Sequence, residues 1–381
     1  MSPVEGLILT PAGWLRGKLT HSAGRIVGVQ GEAAAADAWS DARDPIVLPG
    51  FIDLHVHGGG GADTMQAAHG SQAIDTIART HARHGTTALL ATTMTAPRAE
   101  IEAALRALAG ACMVRSDAAA RVLGVHLEGP YISPDKLGAQ PPFALAPSGA
   151  EILALHALAP IRVVTLAPEL PGALETTAAL VAAGIRVQIG HSGASYEQAC
   201  AALHSGASGF THLFNAMSAL HHRAPGVVGA ALAHAAHAEL IPDLLHVHPG
   251  AMRAAWRAIP GLYCVTDATA AAAMPDGEYR LGRHRVHKCA GGVRLADGTL
   301  AGSTLTMDQA LRNLVSEAGL GLDLAAASRC VSTHAARYLG LADRGALGVG
   351  AWADIVVLDA QLRVRRVIVQ GQEDVDVADA A

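Results

Sequence analysis

Short, nearly continuous apolar runs recur through the middle of the chain, at 50–55, 86–93, 122–127, 161–166, 185–189, 209–212, 239–247 and 262–265. Between most of them the apolar positions fall at helical spacing, as at 71–84 and 99–108. The stretch 195–206 is the best-marked helix, with Ser195 as N-cap and Gly206 as the stop. Strands without polar alternation are buried on both faces, which is the habit of parallel sheets covered by helices. Eight such strand–helix units predict a (β/α)8 TIM-type barrel; a doubly wound open sheet is the alternative. The two ends of the chain read differently. Residues 4–31 break into short apolar runs parted by Gly and polar turns, an antiparallel pattern. An Ala/Asp-rich connector follows at 32–44, and strand signals return at 353–358 and 364–369. The simplest organisation is a small β-sandwich domain made from both termini, 1–48 and 348–381, around a barrel at 49–347.

Composition narrows the function classes. The chain has 381 residues and is 51% hydrophobic but only 3% aromatic, so its core is built from Ala, Val, Leu and Ile. A net charge of −5 gives no electrostatic case for nucleic acid or a membrane surface. No apolar run approaches the roughly 18 residues of a membrane span, and the N-terminus shows no basic-then-apolar leader. Five scattered cysteines, with no CxxC pair, fit a reducing compartment, so a cytoplasmic protein is expected.

Candidate chemistry sits where apolar runs end, the place where parallel α/β folds hold their reactive groups. The first run ends in Asp53, His55 and His57, followed by four glycines at 58–61. Residues i and i+2 of a strand point the same way, so the two imidazoles make a chelating pair; the plain alternative is two packing histidines beside a flexible loop. The third run ends in His126 and Glu128 before Gly129-Pro130. A carboxylate leaving a buried strand needs a cation, so Glu128 reads as a metal ligand rather than as a capping residue. The fifth and sixth runs deliver His191 and His212, two more ligand candidates on neighbouring strands. The eighth delivers Asp267, placed to take a proton from activated water, with an N-cap as its plain alternative. Only three lysines exist, Lys18, Lys136 and Lys288, none at a core strand end, so a bridging carboxylated lysine is excluded. Glu169 reads as a loop charge. Asn215-Ala216 offers amide hydrogen bonds to a sugar, and Arg223 offers a grip on an anion. His246 and His248 end the seventh run, one to contact substrate and one to pack. Residues 300–306 place small side chains before a helix whose N-terminus favours a polar ligand. His221, His222, His234 and His237 read as surface residues.

The ordered set PGFIDLHVHG, HLEGPYISP, GHSGAS, THLFNAM, PGVVGA, LHVH, VTDAT and GTLAGSTLTM resembles the N-acetylglucosamine-6-phosphate deacetylase family of the amidohydrolase superfamily, over nearly the whole chain. The resemblance implies the barrel with a small β domain, a homodimer, and hydrolysis of an acetamide on an amino-sugar phosphate. It implies that Glu128, His191 and His212 hold the catalytic metal and that Asp267 is the acid/base. It also implies that Ala139, Gln140, Asn215, Ala216, Arg223, His246, Leu300, Ala301 and Gly302 line the sugar-phosphate site, with Arg223 reaching the neighbouring subunit's site. Two departures matter. Gln140 stands where the family often has His, so contact with the acyl group is retained but proton transfer is not. Both His55 and His57 are kept, so a second metal is expected to be accommodated. Ligand types leave zinc or iron open, one or two ions per subunit. The rival readings are a cyclic-amide hydrolase or deaminase of the same superfamily, the galactosamine epimer as substrate, and a non-catalytic sugar-phosphate sensor.

Overall fold

The computed structural model describes residues 3–40, 43–70 and 72–377. Strands β1 (Val4–Thr10), β2 (Gly13–Ser22), β3 (Arg25–Ala33) and β4 (Ile46–Pro49) open the chain. The parallel strands are β5 (Phe51–Val56), β8 (Thr86–Thr93), β9 (Arg121–Glu128), β10 (Ile161–Leu166), β11 (Arg186–Ile189), β12 (Gly209–Phe210), β13 (His237–Leu240) and β14 (Gly261–Cys264), with the two-residue strands β6 (Gly58–Gly59) and β7 (Ala62–Asp63) after the first. An antiparallel insert, β15 (Gly277–Leu281), β16 (His284–Cys289) and β17 (Gly292–Arg294), follows, and β18 (Ile355–Leu358) and β19 (Val364–Ile368) close the chain.

Every residue of β5 and of β8 is buried, as the uninterrupted apolar runs require. Six strands pair in parallel in the order β12-β11-β10-β9-β8-β5, and β13 pairs in parallel with β14. Backbone hydrogen bonds cross the gaps between these two sheets. Leu213 N–H donates to Glu239 O at 2.9 Å on one side, and Asp267 N–H donates to His55 O at 2.9 Å on the other. Neighbouring strands are thus consecutive in sequence, the order that short right-handed β-α-β connections produce. The strand ends converge on one rim, and that convergence positions the site.

The two termini meet in one mixed six-stranded sheet, order β19-β18-β4-β1-β2-β3. One face of it, with Leu7, Ile46, Leu48 and Val356, joins the main core; the other, with Ile8, Leu19, Ile26, Val47, Ile355 and Ile368, closes over its own apolar cluster.

Three expectations need correction. The seventh strand was expected over 239–247 but ends at Leu240. Pro242 has no N–H to continue a ladder, and the Asp243 carboxylate accepts from Leu245 N at 2.9 Å and His246 N at 2.8 Å, turning the chain. His246 and His248 are therefore loop residues. The sixth strand stops at Phe210, and 211–216 form turns. The three-stranded insert was not foreseen; it packs Leu281, Val286 and Val293 against Met94 and Ala301 and forms a wall of the cavity. Other elements match closely: the helix Tyr196–His204 has Ser195 as N-cap in a full capping box with Gln198. The helix expected over 71–84 is observed as Gln72–Arg83; Ser71 lies outside the described residues.

Candidate metal centre and active site

Each candidate ligand lies at or just beyond the end of a parallel strand, and the geometry there is tight. Glu128 is the last residue of β9, and its Oε1 lies 3.1 Å from His191 Nε2 and 3.0 Å from His212 Nε2. The two ring nitrogens are 3.1 Å apart. On the other side Glu128 Oε2 lies 3.0 Å from His57 Nε2 and 3.5 Å from His55 Nε2, and Asp267 Oδ1 lies 3.3 and 3.4 Å from the same two nitrogens. All six side chains are buried. His191, His212 and Asp267 have φ of 48°, 31° and 51°, a region costly for residues with a Cβ. Such outliers persist where the surroundings over-determine them, and they cluster at functional sites.

The charges are arranged to compensate one another. Burial alone would raise the Glu128 carboxyl, but the facing charge of His55 and hydrogen bonds from His191 and His212 hold it well below the usual range. Burial would likewise raise Asp267, yet His55 and His57 bring it to about 2. Burial would lower His57, but Asp267 and Glu128 raise it to about 9. Asp53, buried and receiving only the Thr266 hydroxyl at 2.6 Å, Thr266 N–H and His55 N–H, is pushed up to about 7 by its desolvation.

The donor set fits a divalent cation. His191 Nδ1–H donates to Lys136 O at 2.8 Å, so in the neutral ring that a metal requires the Nε2 lone pair faces the Glu128 carboxylate and His212 Nε2. Lone pairs and a carboxylate converging in a buried space call for a positive charge between them. Among the described residues, three groups of side chains bring potential ligand atoms within 4.8 Å of one another: Glu128, His191 and His212; His55, His57 and Asp267; and His55, His126 and Glu239. The third is a poor site, because His126 Nδ1 bonds to Leu54 O at 3.0 Å and its Nε2 to the Thr165 hydroxyl at 2.7 Å. His126 is a satisfied core histidine.

The candidate ligands floor a cavity of about 300 Å³, within the lower range of small-molecule sites. Its walls include Ala139, Gln140, Asn215, Ala216, His246, Leu300 and Gly302, all expected there. Gln140 is clamped: its Oε1 accepts from Thr95 N at 2.8 Å and its Nε2 donates to Glu128 Oε2 at 2.6 Å. Ala301 lies beneath the wall, fully buried, with its N–H on Val293 O. Arg223 is exposed, its guanidinium 2.7 Å from His222 Nε2, and it does not line its own chain's cavity. His246 is held by Asp243 at 2.6 Å, and His248 caps the helix Pro249–Ala258. His221, His222 and His234 are exposed, and His237 is half-buried against Tyr338.

Some functional positions escaped sequence reasoning. Glu169 is not a free loop charge: its carboxylate accepts from Ser192 Oγ and Gly193 N, both at 2.7 Å, and braces the turn after His191. Lys136, Leu281 and Thr299 line the cavity. Glu239, fully buried, lies 3.0 Å from His55 Nδ1. The argument that singled out Glu128, a carboxylate in an apolar run, applied equally to Glu239.

Comparison with known proteins fixes the lineage. The sequence profile of the amidohydrolase family matches residues 46–375. The chain belongs to this family. An N-acetylgalactosamine-6-phosphate deacetylase of Escherichia coli O157:H7 is 41% identical over 371 residues, covering 96% of this chain and 97% of that protein. An N-acetylglucosamine-6-phosphate deacetylase of Lysinibacillus sphaericus is 41% identical over 338 residues, covering 86% and 84%. A variant N-acetyl-D-glucosamine-6-phosphate deacetylase of Mycobacterium smegmatis, solved with N-acetyl-D-glucosamine-6-phosphate, superposes with a TM-score of 0.89 at 34% identity, covering 99% of this chain and 100% of that one. The Thermotoga maritima enzyme of the same name gives 0.88 at 32%, covering 98% and 99%. Among the described residues no helix is long and apolar enough to cross a membrane.

Proposed function

We propose that the chain hydrolyses the acetamide of N-acetyl-D-glucosamine 6-phosphate, releasing acetate and glucosamine 6-phosphate in amino-sugar catabolism. The observation that carries this is the convergence of Glu128, His191 and His212 beside Asp267 at the floor of one cavity, in a chain that matches deacetylases of amino-sugar phosphates end to end. Glu128, His191 and His212 would hold the catalytic divalent ion, zinc or iron, and His55 and His57 a second. A bound divalent ion supplies Lewis-acid charge and makes water acidic enough to deprotonate near neutral pH. Asp267, whose Oδ1 faces the ligand cluster, takes the proton from the attacking water. The same carboxyl then hands the proton to the amine, which leaves as a neutral group. Gln140, fixed at both ends of its amide, is placed to orient the acyl oxygen. The main-chain amides at Asn215–Ala216, with His246 and the turn at 300–302, would hold the sugar phosphate. Arg223 would read the phosphate of the neighbouring subunit in a homodimer, since its exposure removes it from its own cavity.

The architecture belongs to the same proposal. The hydrogen bonds across both gaps between the parallel sheets support a closed (β/α)8 barrel over 49–347. The shared cluster of Leu19, Ile26, Ile355 and Ile368 supports a sandwich-like curl of the terminal sheet, from 1–48 and 348–381. A cytoplasmic location is part of the reading.

The test is metal analysis of the purified protein coupled to acetate release from N-acetylhexosamine 6-phosphates and their unphosphorylated sugars. Release from the unphosphorylated sugars at equal efficiency, or from none of the four, would reject the assignment. The relative from Escherichia coli O157:H7 supports a second reading, the galactosamine epimer as preferred substrate. The ratio of kcat/KM for the two epimers decides between them.

A further inference from the structure

Glu239, the penultimate residue of β13, is fully buried, yet nothing in acetamide hydrolysis places a carboxylate there. Its Oε2 accepts two hydrogen bonds. One comes from His55 Nδ1 at 3.0 Å and the other from the backbone N–H of His212 at 3.1 Å. Its Oε1 accepts from the Tyr263 hydroxyl at 3.4 Å, and that hydroxyl accepts from Gln188 Nε2 at 2.7 Å. One oxygen thus ties the His55 ring to the turn that carries His212. A carboxylate can only accept from the imidazole, so His55 must carry its proton on Nδ1. Its Nε2 lone pair then faces the cavity, 3.2 Å from His57 Nε2 and 3.4 Å from Asp267 Oδ1. The next imidazole does not compete for the carboxylate: His126 Nδ1 is 3.9 Å from Glu239 and bonded elsewhere.

We propose that Glu239 is a positioning residue that locks the tautomer and orientation of His55 and thereby makes His55, His57 and Asp267 able to hold a divalent ion of their own. The proposal rests on the metal-dependent reading above. It goes further in assigning the affinity of this second set to a residue that touches neither ion nor substrate. The physical ground is general: a ligand histidine whose far nitrogen donates to a carboxylate is fixed in rotamer and made more basic, and losing that partner weakens metal binding by roughly 10–100-fold.

The experiment measures zinc stoichiometry and affinity, by competition with a chromophoric chelator, for the wild type, Glu239→Ala, Glu239→Gln, His55→Ala and His191→Ala. The wild type is expected to bind two ions. Glu239→Ala should weaken the second about 10–100-fold and leave the first within about threefold. Glu239→Gln keeps an acceptor oxygen toward His55 Nδ1 and His212 N–H, so it should restore most of the second affinity. Histidine ¹⁵N shifts of the zinc-loaded protein should show His55 protonated on Nδ1 and metal-bound through Nε2 in the wild type and Gln variant but not in the Ala variant. A wild type that binds one ion only, an Ala variant that keeps both at full affinity or loses both equally, or a Gln variant as weak as the Ala variant overturns the proposal. A wild type that binds no zinc, or whose binding is untouched by His191→Ala, rejects the metal-dependent reading itself, so the two failures are distinct.

Discussion

The two halves of the candidate metal centre offer the same kind of donor set with different construction. In one half, His191 and His212 come from separate strands, each on a left-handed backbone, and meet only because Glu128 stands between them. In the other, His55 on β5 and His57 just past its end are two residues apart in sequence, with Asp267 closing the set. The first half is a product of the assembled parallel sheet. The second is a local chelate propped from behind by Glu239, Asp53 and the glycine loop. Glu128 is the one side chain common to both, facing His191 and His212 through Oε1 and His55 and His57 through Oε2. A site that depends on long-range assembly should fail as a unit, and a local chelate should fail piecemeal.

The largest expected effect follows from that shared position. Glu128→Ala should empty both halves and cost at least about 4 kcal/mol of barrier, roughly a thousandfold in kcat/KM. His191→Ala should also empty the first half, whereas His57→Ala should leave one ion bound. Metal content by elemental analysis checks all three. If His55→Ala alone strips the protein while His191→Ala retains its metal, the comparison is inverted. Next in size is Asp267→Asn, which keeps volume and the ion held by Glu128, His191 and His212 but cannot accept a proton; turnover should fall about 10²–10⁴-fold. Retained turnover within about tenfold, 1.4 kcal/mol of barrier, removes Asp267 as acid/base.

These candidate ligands were readable from sequence because each is a metal-binding residue type at the end of a buried apolar run, a pattern local enough to see. What lay behind them was less legible. Glu239 sat inside a run that read as a longer strand, and the break at Pro242-Asp243 was overlooked although both residues are turn formers. The insert at Gly277–Arg294 alternates polar and apolar residues around a Gly282-Arg283 turn with Gly282 at φ +54°, a hairpin signal that was available but lies outside the barrel rhythm. The left-handed backbones of His191, His212 and Asp267 carry no signal, since no glycine marks them. Arg223 is the converse case, legible only as a lone charge, because its proposed work is in another chain.

A smaller effect is expected there. Arg223→Ala should raise KM for the phosphorylated sugar by about 10–100-fold, the worth of a charge-assisted hydrogen bond of roughly 1.5–3 kcal/mol, and leave the unphosphorylated sugar unchanged. Mixing Arg223→Ala with Asp267→Asn and allowing subunits to exchange sharpens the point. In a mixed dimer with shared sites, one site keeps its own Asp267 and receives an intact Arg223, so efficiency rises above the average of the parents. With sites confined to one chain, no rise appears even when exchange is verified independently.

The smallest effect concerns the support of the local half rather than its ligands. His81, in the helix Gln72–Arg83, is fully buried beneath the glycine loop that follows His57, and its Nε2–H donates to Gly58 O at 2.8 Å. Burial, with a minor contribution from His84, outweighs that hydrogen bond and lowers its pKa to about 4. The folded pKa therefore lies below the unfolded value of about 6.5. Between the two, the unfolded chain binds a proton that the folded chain does not. Stability is thus complete above about pH 6.5 and falls as the pH drops toward 4, by roughly 2 kcal/mol at pH 5 from this residue alone. His81→Gln retains an N–H donor for Gly58 O and cannot titrate. Denaturant unfolding of the metal-free protein at pH 7 and pH 5 should show a smaller acid loss in the variant, by about that 2 kcal/mol. Equal losses in both proteins would mean that the glycine loop yields on acidification without unfolding the chain, and that the support beneath the local half is softer than its burial implies.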